Sequence, residues 1–290
     1  MKKYNRLLVS SFYLCGLVFL VGCQNNSSKN NNSAETDSAS SETSTNTKSN
    51  ELIMLPSNNY RIYEDEILIA LPNKYRKAQS NSEDEAKEDG VMIRLVGDKD
   101  LKEDDFYLDV TAKQVYSEND SIKAFVIIGL SYVHGMGAVG GWCDAVLLYF
   151  NKDKWHALDY LKQIGGSVRG GNHGGCNGFI QNGPNSILAE VEGSTFWSGS
   201  GYSAISLVGA MNNHIRIAGG FLSSWSSDGG FQREVSCSVN HNYKKSKSSY
   251  LDLELNFKDN IKNKKDVKKY PFKDGKYDIP DWPFGCKLDF

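Results

Sequence analysis

Strict alternation of apolar and polar residues is the feature of this sequence that most restricts its fold. Two stretches, 231–243 and 250–257, show it most clearly, and a polar segment, 244–249, separates them. A period of two places alternate side chains on opposite faces of a strand, so the pattern predicts a long antiparallel hairpin with one solvated face. The alternating apolar residues are Val235, Cys237 and Val239 in the first stretch and Leu251, Leu253 and Leu255 in the second.

The same period recurs along most of the chain after residue 50. The segment 155–164 is ambiguous, because Ala157, Leu161 and Ile164 also fit one face of a helix. The predicted fold class is all-β with at most a short helix: a mainly antiparallel sandwich or barrel, although the strand spacing would also suit a small propeller. A second hairpin is predicted at 203–208 and 214–218, and further strands at 67–71, 91–96, 107–115, 122–133, 144–150 and 187–192.

The N-terminus has the composition of an export signal. Three basic residues precede an apolar stretch, 7–22, which is shorter than the roughly 20 residues that a membrane-spanning helix needs. It ends in Leu20, Val21, Gly22 and Cys23, and this pattern resembles the lipobox of bacterial lipoproteins. The resemblance implies a signal peptide at 1–22 and an acylated Cys23 that anchors the protein in a membrane.

The segment after Cys23 is predicted to be a disordered tether. Residues 24–50 contain only Ala34 and Ala39 as apolar side chains, so they cannot bury enough surface to offset the entropy of ordering. As a flexible coil the tether would span on the order of 30 Å. We therefore expect one folded, disulfide-braced domain at 51–290.

Four cysteines remain in that domain: Cys143, Cys176, Cys237 and Cys286. In an oxidising compartment an even number predicts two disulfides. Three pairings are open, and the sequential one, Cys143 with Cys176 and Cys237 with Cys286, closes the shortest loops. Free thiols would instead favour a metal site or a nucleophile. Because Gln24 replaces the aspartate that retains many lipoproteins in the inner membrane, the family resemblance implies the outer membrane, with the domain facing the periplasm.

Charge restricts the partners. Removing the three basic residues of 1–22 from 33 leaves 30 Lys plus Arg against 35 Asp plus Glu, a formal charge of −5, so we expect no nucleic-acid partner. The segment 244–276 nevertheless contains eleven lysines and only five acidic residues. These lysines are interpreted either as solvated edges that discourage strand aggregation or as a basic rim that attracts an acidic partner or anionic lipid.

No motif identifies catalysis. Gly135, Gly137 and Gly140 have the glycine spacing of a dinucleotide fingerprint, but a strand follows where that motif requires a helix. Ser198 and Ser200 lack the glycines of a nucleophile elbow. The residues His134, Cys143, His173 and Cys176 have suitable atoms for zinc or for thiol hydrolysis, but disulfide formation would compete for both sulfurs. We therefore predict no catalytic residue, no metal ligand and no cofactor.

Three loop-like stretches combine an aromatic residue with glycine and serine, which is the chemistry of recognition surfaces. Their candidate binding residues are Trp142, Trp197, Tyr202 and Trp225. The alternative is that these rings turn inward and close the ends of the β core. The sequence favours a binding module for an envelope protein or glycan. A protective inhibitor or immunity lipoprotein directed against a toxin or lysozyme is the first alternative, and a secreted hydrolase is the second.

Overall fold

The computed structural model of the protein describes residues 52–71, 75–77, 91–95, 105–132, 141–166, 173–197, 200–227 and 235–279. Within these ranges no helix has the length and apolar character that crossing a bilayer requires. The predicted signal peptide, Cys23, the tether, Cys286 and the three fingerprint glycines lie outside the described residues.

The first sheet is an antiparallel meander in the order β2-β3-β4-β5-β6-β7, with β1 paired to one end of β4. One short α-helix, α1 (Glu64–Ala70), follows β1 in the chain. The strands are β1 (Ile53–Met54), β2 (Tyr75–Lys77), β3 (Val91–Leu95), β4 (Asp105–Glu118), β5 (Ser121–Tyr132), β6 (Trp142–Asn151) and β7 (Lys154–Gly166).

The second sheet is also a meander, in the order β14-β13-β12-β11-β10-β9-β8. A separate two-stranded ribbon, β15 (Phe272–Lys273) with β16 (Lys276–Tyr277), follows it. The strands of the second sheet are β8 (Gly175–Gly183), β9 (Ser186–Trp197), β10 (Ser200–Met211), β11 (His214–Ser227), β12 (Val235–Lys245), β13 (Leu251–Asp259) and β14 (Lys264–Tyr270).

Three apolar cores hold these elements together. The first joins α1 to one face of the first sheet, where Ile67 packs with Val126 and Ile128. The second fills the space between the two sheets and includes Ile127 from β5 and Val191 from β9. The third lies on the other side of the second sheet, between β9–β11 and β12–β14. The all-β prediction is confirmed, and the shared second core makes the architecture a sandwich.

Tight turns gather at one end of the sandwich. Both central residues have positive φ in the turns Asn119–Asp120, Lys152–Asp153 and Asn212–Asn213, as two-residue type I′ hairpins require. The Nζ of Lys123, beside the first of these turns, lies 2.6 Å from Oδ1 of Asn213 in the third. The turn ends of the two sheets therefore adjoin. We call the opposite end, where β5 ends and β6 begins, β9 ends and β10 begins, and β11 ends and β12 begins, the loop end.

Two predicted elements differ in the structure. The segment predicted as a strand at 67–71 belongs to α1, which begins where the Tyr63 amide donates to Glu66 Oε2 at 3.0 Å. Ile67 in α1 and Leu71 at its C-cap are both buried, and a spacing of four residues places them on one face of either a helix or a strand. The ambiguous segment 155–164 lies in β7 instead of a helix. Two register shifts between β6 and β7 add residues to this strand and disturb its period of two.

Candidate functional site

All three aromatic, glycine- and serine-rich stretches lie at the loop end. Trp142 begins β6, the connection between Trp197 and Ser200 joins β9 to β10, and Trp225 lies near the end of β11. In the second sheet Tyr202 is the register partner of both Thr195 and Trp225. Neighbours in register share a face of the sheet, so Tyr202 and Trp225 lie side by side.

The four aromatic residues are not equally available to a ligand. Tyr202 is 40% exposed, whereas Trp225 is only 6% exposed. Trp142 is half-buried and packs edge to face on Phe106, with ring centroids 4.9 Å apart. The backbone of Trp197 pairs with Ser200, and its side chain lies outside the described part of the molecule. Tyr202 is therefore the aromatic anchor that the structure offers, while Trp225 supports it from within the sheet.

The cysteines differ from the prediction. Cys143 and Cys176 are both free thiols, so the expected bridge between them is absent. The two residues lie on different sheets, and each sulfur has a backbone acceptor instead: Gly174 O at 3.3 Å from Cys143 Sγ, and Gly178 O at 3.6 Å from Cys176 Sγ. Cys237 is disulfide-bonded to a cysteine outside the described residues.

Three residues in register across the first sheet form the surroundings of Cys143. Gly129 on β5 is in register with Asp109 on β4 and with Cys143 on β6, so the three lie in line on one face. His173, just before β8, covers the glycine. A Cβ atom on Gly129 would lie 2.4 Å from Cδ2 of His173 and 2.5 Å from Oδ1 of Asp109. The absence of a side chain at 129 therefore makes room for the imidazole ring.

His173 connects the thiol to the carboxylate. Its Nε2 lies 3.2 Å from Asp109 Oδ2, and its Nδ1 lies 2.5 Å from the carbonyl oxygen of Gly174. The thiol of Cys143 donates to the same carbonyl, and it also contacts the His173 ring. We call Cys143, His173 and Asp109 the thiol cluster.

Electrostatics favour a charged imidazolium in this cluster. The hydrogen bond to Asp109 is the largest cause that raises the pKa of His173 to about 10, and the contact with Cys143 acts in the same direction. Burial alone would raise the pKa of Asp109, but hydrogen bonds from His173, Thr111 and the backbone at Gly129 hold it below its ordinary value.

Cys176 borders the cluster from the second sheet. Its register partner is Val191, and a Cβ atom on Gly165, the register partner of Cys143, would lie 2.7 Å from Val191 Cγ1. Burial raises the pKa of Cys176 to about 11, with Cys143 contributing in the same direction, which disfavours the thiolate form of Cys176. The described residues contain no group of three or more His, Cys, Asp or Glu arranged to hold a metal ion.

Exposure decreases through the thiol cluster. The side chains of Asp109 and His173 are 43% and 21% exposed, whereas Cys143 is fully buried. With the imidazole between the exposed carboxylate and the buried sulfur, His173 could donate a proton to a group that reacts at the Cys143 sulfur. Among the predicted candidates the structure joins Cys143 and His173 and adds Asp109, which sequence reasoning had not selected. His134 and Ser198 lie outside the described residues.

No protein-family model, no curated protein and no solved structure matches this chain. The fold and the site therefore define it only as a class, an antiparallel β-sandwich with aromatic loops and a thiol cluster at one end.

Proposed function

We propose that the protein is a lipid-anchored lipoprotein of the cell envelope that binds an envelope protein or glycan through its loop end. The observation that carries the proposal is the convergence of the three aromatic, glycine- and serine-rich stretches on one end of a rigid sandwich. Binding residues typically lie on connections that a rigid scaffold positions. Tyr202 supplies exposed aromatic area, and serines adjoin it along β10 and β11.

Binding is tested by capturing envelope protein and glycan fractions on the immobilised chain, in the wild type and in Tyr202→Ala. Tyr63→Ala is the matched control, because Tyr63 is 53% exposed and lies beside α1. We expect one stoichiometric ligand that Tyr202→Ala loses and Tyr63→Ala retains. Equal capture by all three proteins would contradict the proposal.

The identity of the captured ligand distinguishes a protective inhibitor from a protein of envelope assembly or attachment. Capture of a lysozyme or of a toxin whose activity the protein suppresses would make it a protective inhibitor or immunity lipoprotein. Capture of a structural envelope protein or of a glycan would assign it to envelope assembly or attachment.

Lipid anchoring is a separate part of the proposal and is supported by the lipobox resemblance at Leu20–Cys23. Metabolic labelling with a fatty-acid analogue should mark the wild type and leave Cys23→Ser unmarked. Unlabelled wild type would remove the anchor, and with it the periplasm-facing outer-membrane location, without affecting the binding proposal.

A secreted hydrolase is the second candidate, and the thiol cluster is the observation that favours it. Cys143, having lost its proton to solvent, would form a thioester with an acyl carbon, and the leaving group would depart with a proton from the His173 imidazolium. Water would then hydrolyse the thioester, release the acid and return a proton to His173. The complete burial of Cys143 is why we place this candidate second. A small alkylating reagent should modify Cys143 of the native protein faster than Cys176, and His173→Gln should abolish the difference. If neither native thiol is modified, the hydrolase candidate fails.

A further inference from the structure

The turn between β13 and β14 combines exposed apolar surface with unpaired positive charge. Ile261 in this turn is 48% exposed, and Val267 in the adjoining strand β14 is 52% exposed. Lys258, Lys264 and Lys265 are also exposed. We call the segment 258–267 the lysine hairpin.

Among the described residues, the two acidic residues of the lysine hairpin pair with Lys262 and Lys268 and leave three lysines without an ion pair. Asp259 accepts hydrogen bonds from the amides of Ile261 and Lys262, at 3.0 Å and 2.9 Å, and pairs with Lys262 at 3.7 Å. Asp266 pairs with Lys268 at 3.1 Å. No salt bridge between described residues includes Lys258, Lys264 or Lys265.

The like charges are placed side by side. Lys258 and Lys265 are register partners, and like charges directly opposite each other are destabilising, whereas Lys264 lies in register with Asp259. A solvated edge accounts for the lysines but not for the exposed Ile261 at the tip. Basic residues around an exposed apolar side chain are the chemistry of proteins that lie on anionic bilayers.

The tip is also firmly held. The Asn260 amide donates to Ser236 O at 2.8 Å, and its side chain donates to Ser236 Oγ at 3.1 Å, which ties the turn to β12. Together with the Asp259 hydrogen bonds, this fixes the conformation in which Ile261 is exposed. A preformed tip does not have to be ordered when it meets a surface.

We infer that the lysine hairpin docks on an anionic phospholipid surface, with Ile261 entering the interface and Lys258, Lys264 and Lys265 contacting head groups. The inference rests on the proposed membrane anchoring for its setting, since the acyl chains proposed on Cys23 would keep the hairpin close to a bilayer. Because the tip lies beside the start of β12, docking would orient the loop end towards the membrane.

The test uses the full chain with Cys23→Ser, so that acylation plays no part and failure of the lipoprotein proposal leaves the result readable. Sedimentation with vesicles of equal parts phosphatidylglycerol and phosphatidylcholine is compared with pure phosphatidylcholine vesicles. We expect K264Q/K265Q to weaken partition onto the anionic vesicles by roughly 30-fold, from two lost lysine contacts. K152Q/K154Q, at the exposed tip of the β6–β7 hairpin, is the matched control and should bind like the parent.

Insertion of the tip has its own readout. In I261W, the new indole should be quenched by brominated lipid in anionic vesicles, at a level that the same protein does not show with neutral vesicles. Equal sedimentation of K264Q/K265Q and the parent, equal partition onto neutral vesicles, or an unquenched indole would each overturn the inference. Unchanged thermal midpoints of the exposed-site variants establish that any loss is not due to unfolding.

Discussion

Gly129 illustrates how one missing side chain creates the thiol cluster. Its position between Asp109 and Cys143 leaves space that the His173 ring occupies. The ring cannot remain there if a methyl group is added. The arrangement of the thiol cluster thus depends on the absence of a side chain at Gly129.

Gly129→Ala should therefore destabilise the protein by about 1–3 kcal/mol, because the methyl group displaces His173 or Asp109. Denaturant unfolding measures the change. Gly175→Ala is the control, since a Cβ atom there would meet nothing within 4 Å. If both variants unfold alike, the ring does not occupy the space above Gly129.

The His173–Asp109 pair should make stability depend on pH in the alkaline range. The pKa of His173 is raised from 6.5 to about 10, so the folded state retains a proton that the unfolded state has lost between these values. The stabilisation is complete below about pH 6.5 and is lost as the pH rises through about 10.

His173→Gln should abolish this dependence. The difference in unfolding free energy between the wild type and the variant should shrink steadily as the pH increases from 6.5 to 10. A difference that stays constant over this range would show that His173 is not paired with Asp109.

Part of the thiol cluster was predictable from residue type. Cys143 and His173 are candidates by residue type, because sulfur and imidazole are the usual groups of thiol chemistry, although the sequence analysis favours a disulfide at Cys143. Asp109 could not be selected, because it belongs to an acid-rich segment and its relation to Cys143 depends on the register of β4, β5 and β6. Register across three strands is set by tertiary packing and is not visible in any one segment.

At the level of the elements, the irregular pairing of β6 and β7 shows how a buried carboxyl supports a bulge. Asp144 is fully buried, accepts the Gln163 amide at 2.7 Å and is hydrogen-bonded by the Tyr160 hydroxyl. Burial raises the pKa of Asp144 to about 6. Gln163, at the bulge, has φ of 51°.

Gln163→Gly should stabilise the fold by roughly 0.5–1 kcal/mol, because glycine adopts positive φ without the steric cost that Gln163 bears. The thermal midpoint would rise accordingly. Lys162→Gly, one residue earlier, should destabilise instead, because Lys162 is absent from the positive-φ positions of the described chain. If both glycine variants lower the midpoint, positive φ at 163 carries no strain.

The hairpins were predictable and the irregular elements were not. The pairs β10–β11 and β12–β13 follow from alternation interrupted by polar turn residues, and both predictions are confirmed. The helix at 64–70 was missed because its single buried turn gives too few apolar repeats to distinguish a helix from a strand. Bulges removed the period of two from β7, which is why Ala157, Leu161 and Ile164 also fitted a helix.

On the scale of the whole molecule, a buried charged group fastens the two sheets at the turn end. Lys123 Nζ lies 2.5 Å from Glu118 Oε2 within the first sheet and 2.6 Å from Asn213 Oδ1 of the second. Both charged side chains are at most 10% exposed. Removing one partner leaves the other charge buried and uncompensated.

Lys123→Met should cost about 3–5 kcal/mol of unfolding free energy. Lys123→Met combined with Glu118→Gln should recover much of the loss, because no buried charge then lacks a partner. Equilibrium denaturation of the two variants measures this. A double variant as unstable as the single one would locate the effect in packing instead of charge.

The sequence predicts most of the strands, but it does not predict how the two sheets stack. Alternation tells which residues of a strand share a face, but β5 is apolar on both faces: Phe125 and Ile127 enter the core between the sheets, while Val126 and Ile128 pack under α1. Such a strand does not indicate which layer covers which face. The sequence therefore does not distinguish a sandwich from a barrel or a small propeller, whereas the core between the sheets does.

The meander order of both sheets has a consequence for how the chain is made. Along each sheet the neighbouring strands are successive in sequence, and among the described strands of these two sheets β1 on β4 is the exception. If an unfolded chain is exported N-terminus first, each strand that emerges can pair with the strand that emerged before it. Each sheet would then form during export, and few strand edges would be left unpaired while the rest of the chain is still being exported.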